Sequence, residues 1–106
     1  MHEAIPGPSG PGSVVLELGN DVGALVLETP AALRGREIEI SPAGEATAAR
    51  RTHSLVRERR TAAGTSYAAI YPGLPAGRYV IWRHMDTPAG EVTIDGGRVT
   101  RFRWLD

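Results

Sequence analysis

The sequence predicts an all-β domain, an antiparallel sandwich of seven or eight short strands. Three observations carry this. The run Tyr71-Pro72-Gly73-Leu74-Pro75-Ala76-Gly77-Arg78-Tyr79 places two prolines and two glycines between two apolar segments. Proline presets one backbone angle and glycine reaches conformations closed to other residues, so the run reads as a turn between strands. Short apolar segments with two-residue alternation recur along the chain. No segment sustains the helical period of 3.6 residues.

Taken in order, Met1–Gly12 holds three prolines and three glycines and reads as a disordered tail. The domain is expected over residues 13–106. Ser13–Leu18 alternates, with Val14, Leu16 and Leu18 on one face. Val22–Glu28 is apolar on both faces, as expected of a central strand. Thr29-Pro30 breaks it, and Ala31–Gly35 crosses over. Arg36–Ser41 sets Ile38 and Ile40 against Glu37 and Glu39. Pro42–Arg51 reads as a loop. Thr52–Arg60 and Thr65–Tyr71 form a hairpin closed by Thr61–Gly64. The first arm is polar and arginine-rich, which suits an edge strand. Gly77–Arg83 is apolar on both faces, and His84–Gly90 is a loop. The last two strands form a hairpin around Gly96-Gly97. Aligning Val92 and Ile94 with the inward side of the partner requires an odd-length loop with a glycine bulge. This predicts Phe102 and Trp104 inside, Arg101 and Arg103 outside.

The turn residues carry a resemblance. Tyr71, Leu74, Pro75, Gly77 and Tyr79 match a Leu-Pro-x-Gly-x-Tyr turn with an aromatic three residues before the leucine. This resembles the carboxypeptidase regulatory-like and collagen-adhesin B-type domains, which are prealbumin-like sandwiches. The implied fold is transthyretin- or immunoglobulin-like. The closing Val92, Ile94, Gly97, Phe102 and Trp104 fit the same pattern. The likeness covers residues 65–104 well and is structural in kind. The whole chain also resembles a family of short actinobacterial proteins sometimes labelled phospholipases. No residues here support that label.

Composition excludes much chemistry. Twelve arginines balance twelve acidic residues, with no lysine and no cysteine. Without lysine there is no Schiff base and no lysine–asparagine crosslink of the adhesin type, although Asn20 is present. Without cysteine there are no disulfides and no thiolate nucleophile or metal ligand. A net charge of zero argues against nucleic acid and anionic membrane as partners. No apolar run reaches the roughly 20 residues of a membrane helix, and Met1–Gly12 lacks a signal-peptide pattern. A cytoplasmic location is expected. The ending Phe102–Asp106 lacks the Tyr-Arg-Gly-Ser motif of the transthyretin-like hydroxyisourate hydrolases.

Residue patterns offer few catalytic candidates. His2, His53 and His84 show no ligand spacing, so no metal or other cofactor is expected. Ser54 adjoins His53, but strand neighbours point to opposite faces. Glu37 and Glu39 share a face about 7 Å apart, the ordinary pattern of a solvated strand. Two arginine pairs remain, Arg57 with Arg59 and Arg101 with Arg103. If their strands share a sheet, they form a ladder for an anionic partner. The ordinary role of such pairs is edge protection and cross-strand pairing, here with Glu37, Glu39 or Glu91. Trp82 could stack on a sugar. The expected function is therefore non-catalytic: a module that binds another protein or its own copy, a homodimer included. An apolar patch around Leu33, Tyr67 or Trp82 would serve that role. A carbohydrate- or anion-binding module is the alternative, using Arg57, Arg59, Arg101, Arg103 or Trp82. A hydrolase using His53 or His84 is the further alternative.

Overall fold

The computed structural model describes residues 20–44 and 51–104. The expected tail, the strand Ser13–Leu18, part of the loop 42–51 and the last two residues lie outside that description. The described chain forms a β-sandwich. Its strands are β1 (Val22–Thr29), β2 (Glu37–Pro42), β3 (Thr52–Leu55), β4 (Arg57–Thr61), β5 (Gly64–Pro75), β6 (Gly77–Trp82), β7 (Pro88–Ile94) and β8 (Val99–Arg103). Sheet I has the order β4-β5-β1-β8, and sheet II has the order β3-β2-β6-β7. A single 3-10 turn, Ala31–Leu33, carries the chain from sheet I to sheet II after Pro30 ends β1.

Alternation decides which side chains meet between the sheets. Ile38 and Ile40 of β2 are buried while Glu37 and Glu39 are exposed. Leu25 and Leu27 of β1, Ala69 and Tyr71 of β5, and Ile81 of β6 join them in one core. Apolar area removed from water at roughly 25 cal/mol per Å² is what holds such sheets face to face. As the sequence predicts, β1 is an interior strand; β6, apolar on both faces, is interior as well, and each is paired on both sides.

Three expectations are corrected. Thr52–Arg60 is not one strand. It breaks at Val56, where the chain leaves the edge of sheet II and enters the edge of sheet I. Val56 is fully buried, its N–H donates to the Arg36 carbonyl at 2.9 Å, and its carbonyl accepts from the Gly35 N–H at 2.9 Å. A buried apolar side chain in a polar segment draws the backbone inward, and the flanking strands pair with different sheets. β4 is nonetheless an edge strand.

The proline- and glycine-rich turn is much shorter than expected. β5 continues through Pro72-Gly73 to Pro75, with its register against β1 shifting between Gly23 and Leu25. Such an irregularity accommodates a proline that cannot donate to the ladder. The reversal is confined to Ala76, and β5 and β6 then lie in different sheets. The Tyr79 hydroxyl donates to the Pro75 carbonyl at 2.6 Å across this corner. That is the geometry of the tyrosine corner of Greek-key sandwiches.

The closing hairpin does not form. β7 belongs to sheet II, and β8 crosses to sheet I to pair in parallel with β1. The sandwich is therefore antiparallel except at this pair. Side-chain facing is independent of the partner's direction, so Trp104 is buried, Phe102 packs against the core, and Arg101 and Arg103 are exposed. Gly97 has φ of 75°, the left-handed conformation expected for this loop. Gly90 is needed for another reason. A Cβ there would lie 2.8 Å from the Phe102 ring, so the missing side chain lets the two sheets close over β8.

Polar ties join the sheets inside the core. The Tyr71 hydroxyl of β5 donates to the Ile38 carbonyl of β2. The Ser54 hydroxyl of β3 donates to the Ile70 carbonyl of β5 at 2.7 Å. Burial pushes the Tyr71 phenol well above its ordinary range. The Ser54 backbone N–H works against this shift, and the Glu39 charge adds to it.

Candidate interaction face

The outer face of sheet I gathers both arginine pairs. The strand registers align Arg57, Ala68, Glu28 and Arg103 in one row across all four strands. Arg101 opposes Val26 and Ile70 in the next row, and Arg59 opposes Ser66 on the other side. The pairs thus share one face, at opposite edges, three strand spacings or about 14 Å apart. Four cations surround one central carboxylate, so this face is locally basic in a chain of zero net charge.

The two pairs differ. Arg101 Nη1 lies 2.9 Å from one Glu28 carboxylate oxygen, and Arg103 Nη2 lies 3.9 Å from the other. Arg101 and Arg103 therefore converge on a single carboxylate. None of Glu37, Glu39 and Glu91, the partners expected for these arginines, is involved. Glu39 pairs with Arg51 at 2.9 Å, Glu91 with Arg78 at 3.1 Å, and Glu37 lies 4.0 Å from His53.

Arg57 and Arg59 make no ion pair with any described carboxylate. Glu58, the acid nearest in sequence, points to the other side of β4 and pairs with Arg60 at 3.2 Å and Arg34 at 3.8 Å. Arg59 lies across the sheet, with its Nη2 3.5 Å from the Ala68 carbonyl. Its Nε is shielded from solvent and has no hydrogen-bond partner among the described residues. A buried donor without a partner costs about 1–3 kcal/mol. Burial lowers the Arg59 pKa from its ordinary value, and the Arg57 charge lowers it further.

Where β1 and β8 end, the β4–β5 hairpin runs on and leaves a notch of about 370 Å³. Glu28, Ser66, Tyr67 and Arg103 line it, with Trp104 behind. The Trp104 ring also receives the Arg83 guanidinium, 4.8 Å from its centroid.

Trp82 lies on the opposite side of the sandwich, on the outer face of sheet II. Its Nε1 donates to the Ser41 hydroxyl at 2.9 Å, and the Arg51 guanidinium stacks 4.0 Å from the ring centroid. Arg51 also donates to Glu39 and to the Met85 carbonyl. The stacking surface proposed for a sugar is occupied by the chain's own arginine. The expected apolar patch is also absent: Leu33 is buried, Tyr67 packs against the core, and Trp82 lies under Arg51. Met85 and Val99 are the exposed large apolar side chains of the described residues, and they are far apart in sequence.

His53 and Ser54 face opposite ways, as strand alternation requires: His53 projects outward toward Glu37, and Ser54 bonds inward. His84 is exposed in the β6–β7 loop. No group of three histidine, aspartate or glutamate side chains converges among the described residues. No helix among them is long and apolar enough to cross a membrane.

Comparison with known proteins adds fold information alone. No protein-family model matches the chain, and no curated protein matches it. The chain superposes on part of a leucine-rich repeat protein from Bacteroides thetaiotaomicron VPI-5482 with a TM-score of 0.50 and 17% identity. The match covers 81% of this chain and 12% of that one, so this chain spans about an eighth of that protein. At that identity the likeness speaks to the sandwich and not to a shared activity.

Proposed function

We propose that this chain is a non-catalytic interaction module of prealbumin-like, carboxypeptidase regulatory-like type. It offers the outer face of sheet I to another protein or to a second copy of itself. One observation carries this reading. Arg57 and Arg59 stand side by side on an open sheet face without a carboxylate of the described chain, although the chain holds as many acids as bases. Juxtaposed like charges are costly unless a partner offsets them. The buried Tyr71, Leu74 and Tyr79 at the corner support the prealbumin-like assignment.

The test is affinity purification followed by reconstitution from purified components, with light scattering of the chain alone. The module reading expects either a reconstituted complex or a concentration-dependent dimer. A chain that stays monomeric and yields no complex that can be rebuilt contradicts it. The notch beside Arg103 favours one second reading, a small-anion or carbohydrate site. Saturable binding there with no protein partner would support that reading instead.

A further inference from the structure

We propose that Arg57 and Arg59 form a clamp for one carboxylate presented by an acidic segment of a protein partner. The inference rests on the interaction-module reading and names the chemistry that the module recognises.

Arg101 and Arg103 occupy alternate positions of an edge strand on the outer face of sheet I, and both reach the Glu28 carboxylate. Arg57 and Arg59 occupy alternate positions of the opposite edge strand on the same face. The pitch is the same in both, about 7 Å. On β8 the neighbouring strand supplies Glu28 beside Arg103. On β4 the neighbouring strand supplies Ala68 and Ser66 beside Arg57 and Arg59. The same cationic geometry thus appears twice, once with its carboxylate and once with small neutral neighbours. A guanidinium donates along fixed directions that match a carboxylate. Arg59 is laid across the sheet by the contact of its Nη2 with the Ala68 carbonyl and pairs with no described carboxylate, so a carboxylate arriving at this edge meets a guanidinium already in place. Ala68 and Ser66 leave the space above the ladder to the arginines and to whatever they bind.

The commitment to carboxylate over phosphate comes from Glu28, the anion that this face already holds. The commitment to a protein segment comes from the setting, an open sheet edge with the ladder running along it. The 370 Å³ notch adjoins the ladder through Ser66, the cross-strand neighbour of Arg59, but its lining includes neither Arg57 nor Arg59.

The experiment titrates the full chain with a capped Gly-Gly-Glu-Gly-Gly peptide at constant ionic strength and follows the arginine Nε–Hε resonances. Parallel titrations use the glutamine peptide, acetate and inorganic phosphate. The clamp predicts saturable shifts at Arg57 and Arg59, with binding about tenfold tighter than for the glutamine peptide. It predicts loss of these shifts in Arg57→Gln. In Glu28→Gln, which releases the second pair, saturable shifts also appear at Arg101 and Arg103. Peptide binding tighter than acetate places the carboxylate on a polypeptide. Binding of phosphate but not of the glutamate peptide overturns the proposal, as does a response at Arg57 and Arg59 equal for the glutamate and glutamine peptides. So does a Glu28→Gln chain whose Arg101 and Arg103 stay silent. These failures leave the broader module reading intact, because a reconstituted complex would still stand with its contacts elsewhere.

Discussion

Tyr71 and Ile38 hold the two sheets together through the interior: the phenol of one donates to the backbone carbonyl of the other across the sandwich. Ile38 sits opposite Ser54 in the β2–β3 pair, and Ser54 in turn bonds the carbonyl of Ile70, next to Tyr71 in the chain. The bonds form a short polar lattice beside the point where the chain switches sheets at Val56.

Removing the Tyr71 hydroxyl leaves a buried carbonyl without its donor. Tyr71→Phe is expected to lower unfolding free energy by about 1–3 kcal/mol with the fold retained, read by urea denaturation. The wild type should also lose stability at high pH. The unfolded phenol ionises near pH 10, whereas burial keeps the folded one protonated to higher pH. This contribution is complete below about pH 10 and falls as pH rises beyond it. The phenylalanine variant should show a shallower alkaline decline. An identical decline in both proteins would contradict the assignment.

The corner makes a second prediction. Tyr79→Phe removes the bond to the Pro75 carbonyl and should cost about 1 kcal/mol, or a fall of about 4–8 °C in melting temperature. Tyr67→Phe serves as the control and should stay within about 0.5 kcal/mol.

Gly90→Ala drives a methyl group against the Phe102 ring. The expected loss is about 1–3 kcal/mol, as for overpacking elsewhere. Phe102→Leu in the same chain should recover part of it. The coupling energy of that double-mutant cycle measures the contact. Additive effects would show that the two residues do not meet.

On sheet II, Arg51→Ala should uncover the Trp82 ring. Acrylamide quenching of tryptophan fluorescence should rise, while Trp104 stays protected in the core. The stability change should be about 2 kcal/mol, the range of a desolvated cation–π contact, because the Arg51 side chain is largely covered.

What the sequence made legible was facing rather than pairing. Alternation places Ile38 and Ile40 inside and Glu37 and Glu39 outside, and it places Trp104 inside and Arg103 outside, whatever strand lies alongside. Pairing depends on long-range geometry that no local pattern encodes. The parallel partnership of β8 with β1 could not be read from Gly96-Gly97, and with it went the identity of Glu28 as the partner of Arg101 and Arg103. Val56 did carry a signal: it follows Leu55 directly, so two consecutive apolar residues break the alternation just before a charged run, at the place where the chain changes sheets. The arginine ladders were visible at their strand pitch. Arg51 over Trp82 was not, because it reaches the ring from a loop.

Charge reversals on opposite faces of the sandwich decide whether the outer face of sheet I carries the interaction. The partner's dissociation constant is measured against wild type, against Arg57→Glu with Arg59→Glu on sheet I, and against Arg78→Glu on sheet II. Far-ultraviolet circular dichroism verifies that each chain is folded. The account predicts that the sheet I variant weakens binding by about a hundredfold, while the sheet II variant stays within about twofold. Equal binding by the sheet I variant, or a loss confined to Arg78→Glu, would contradict it.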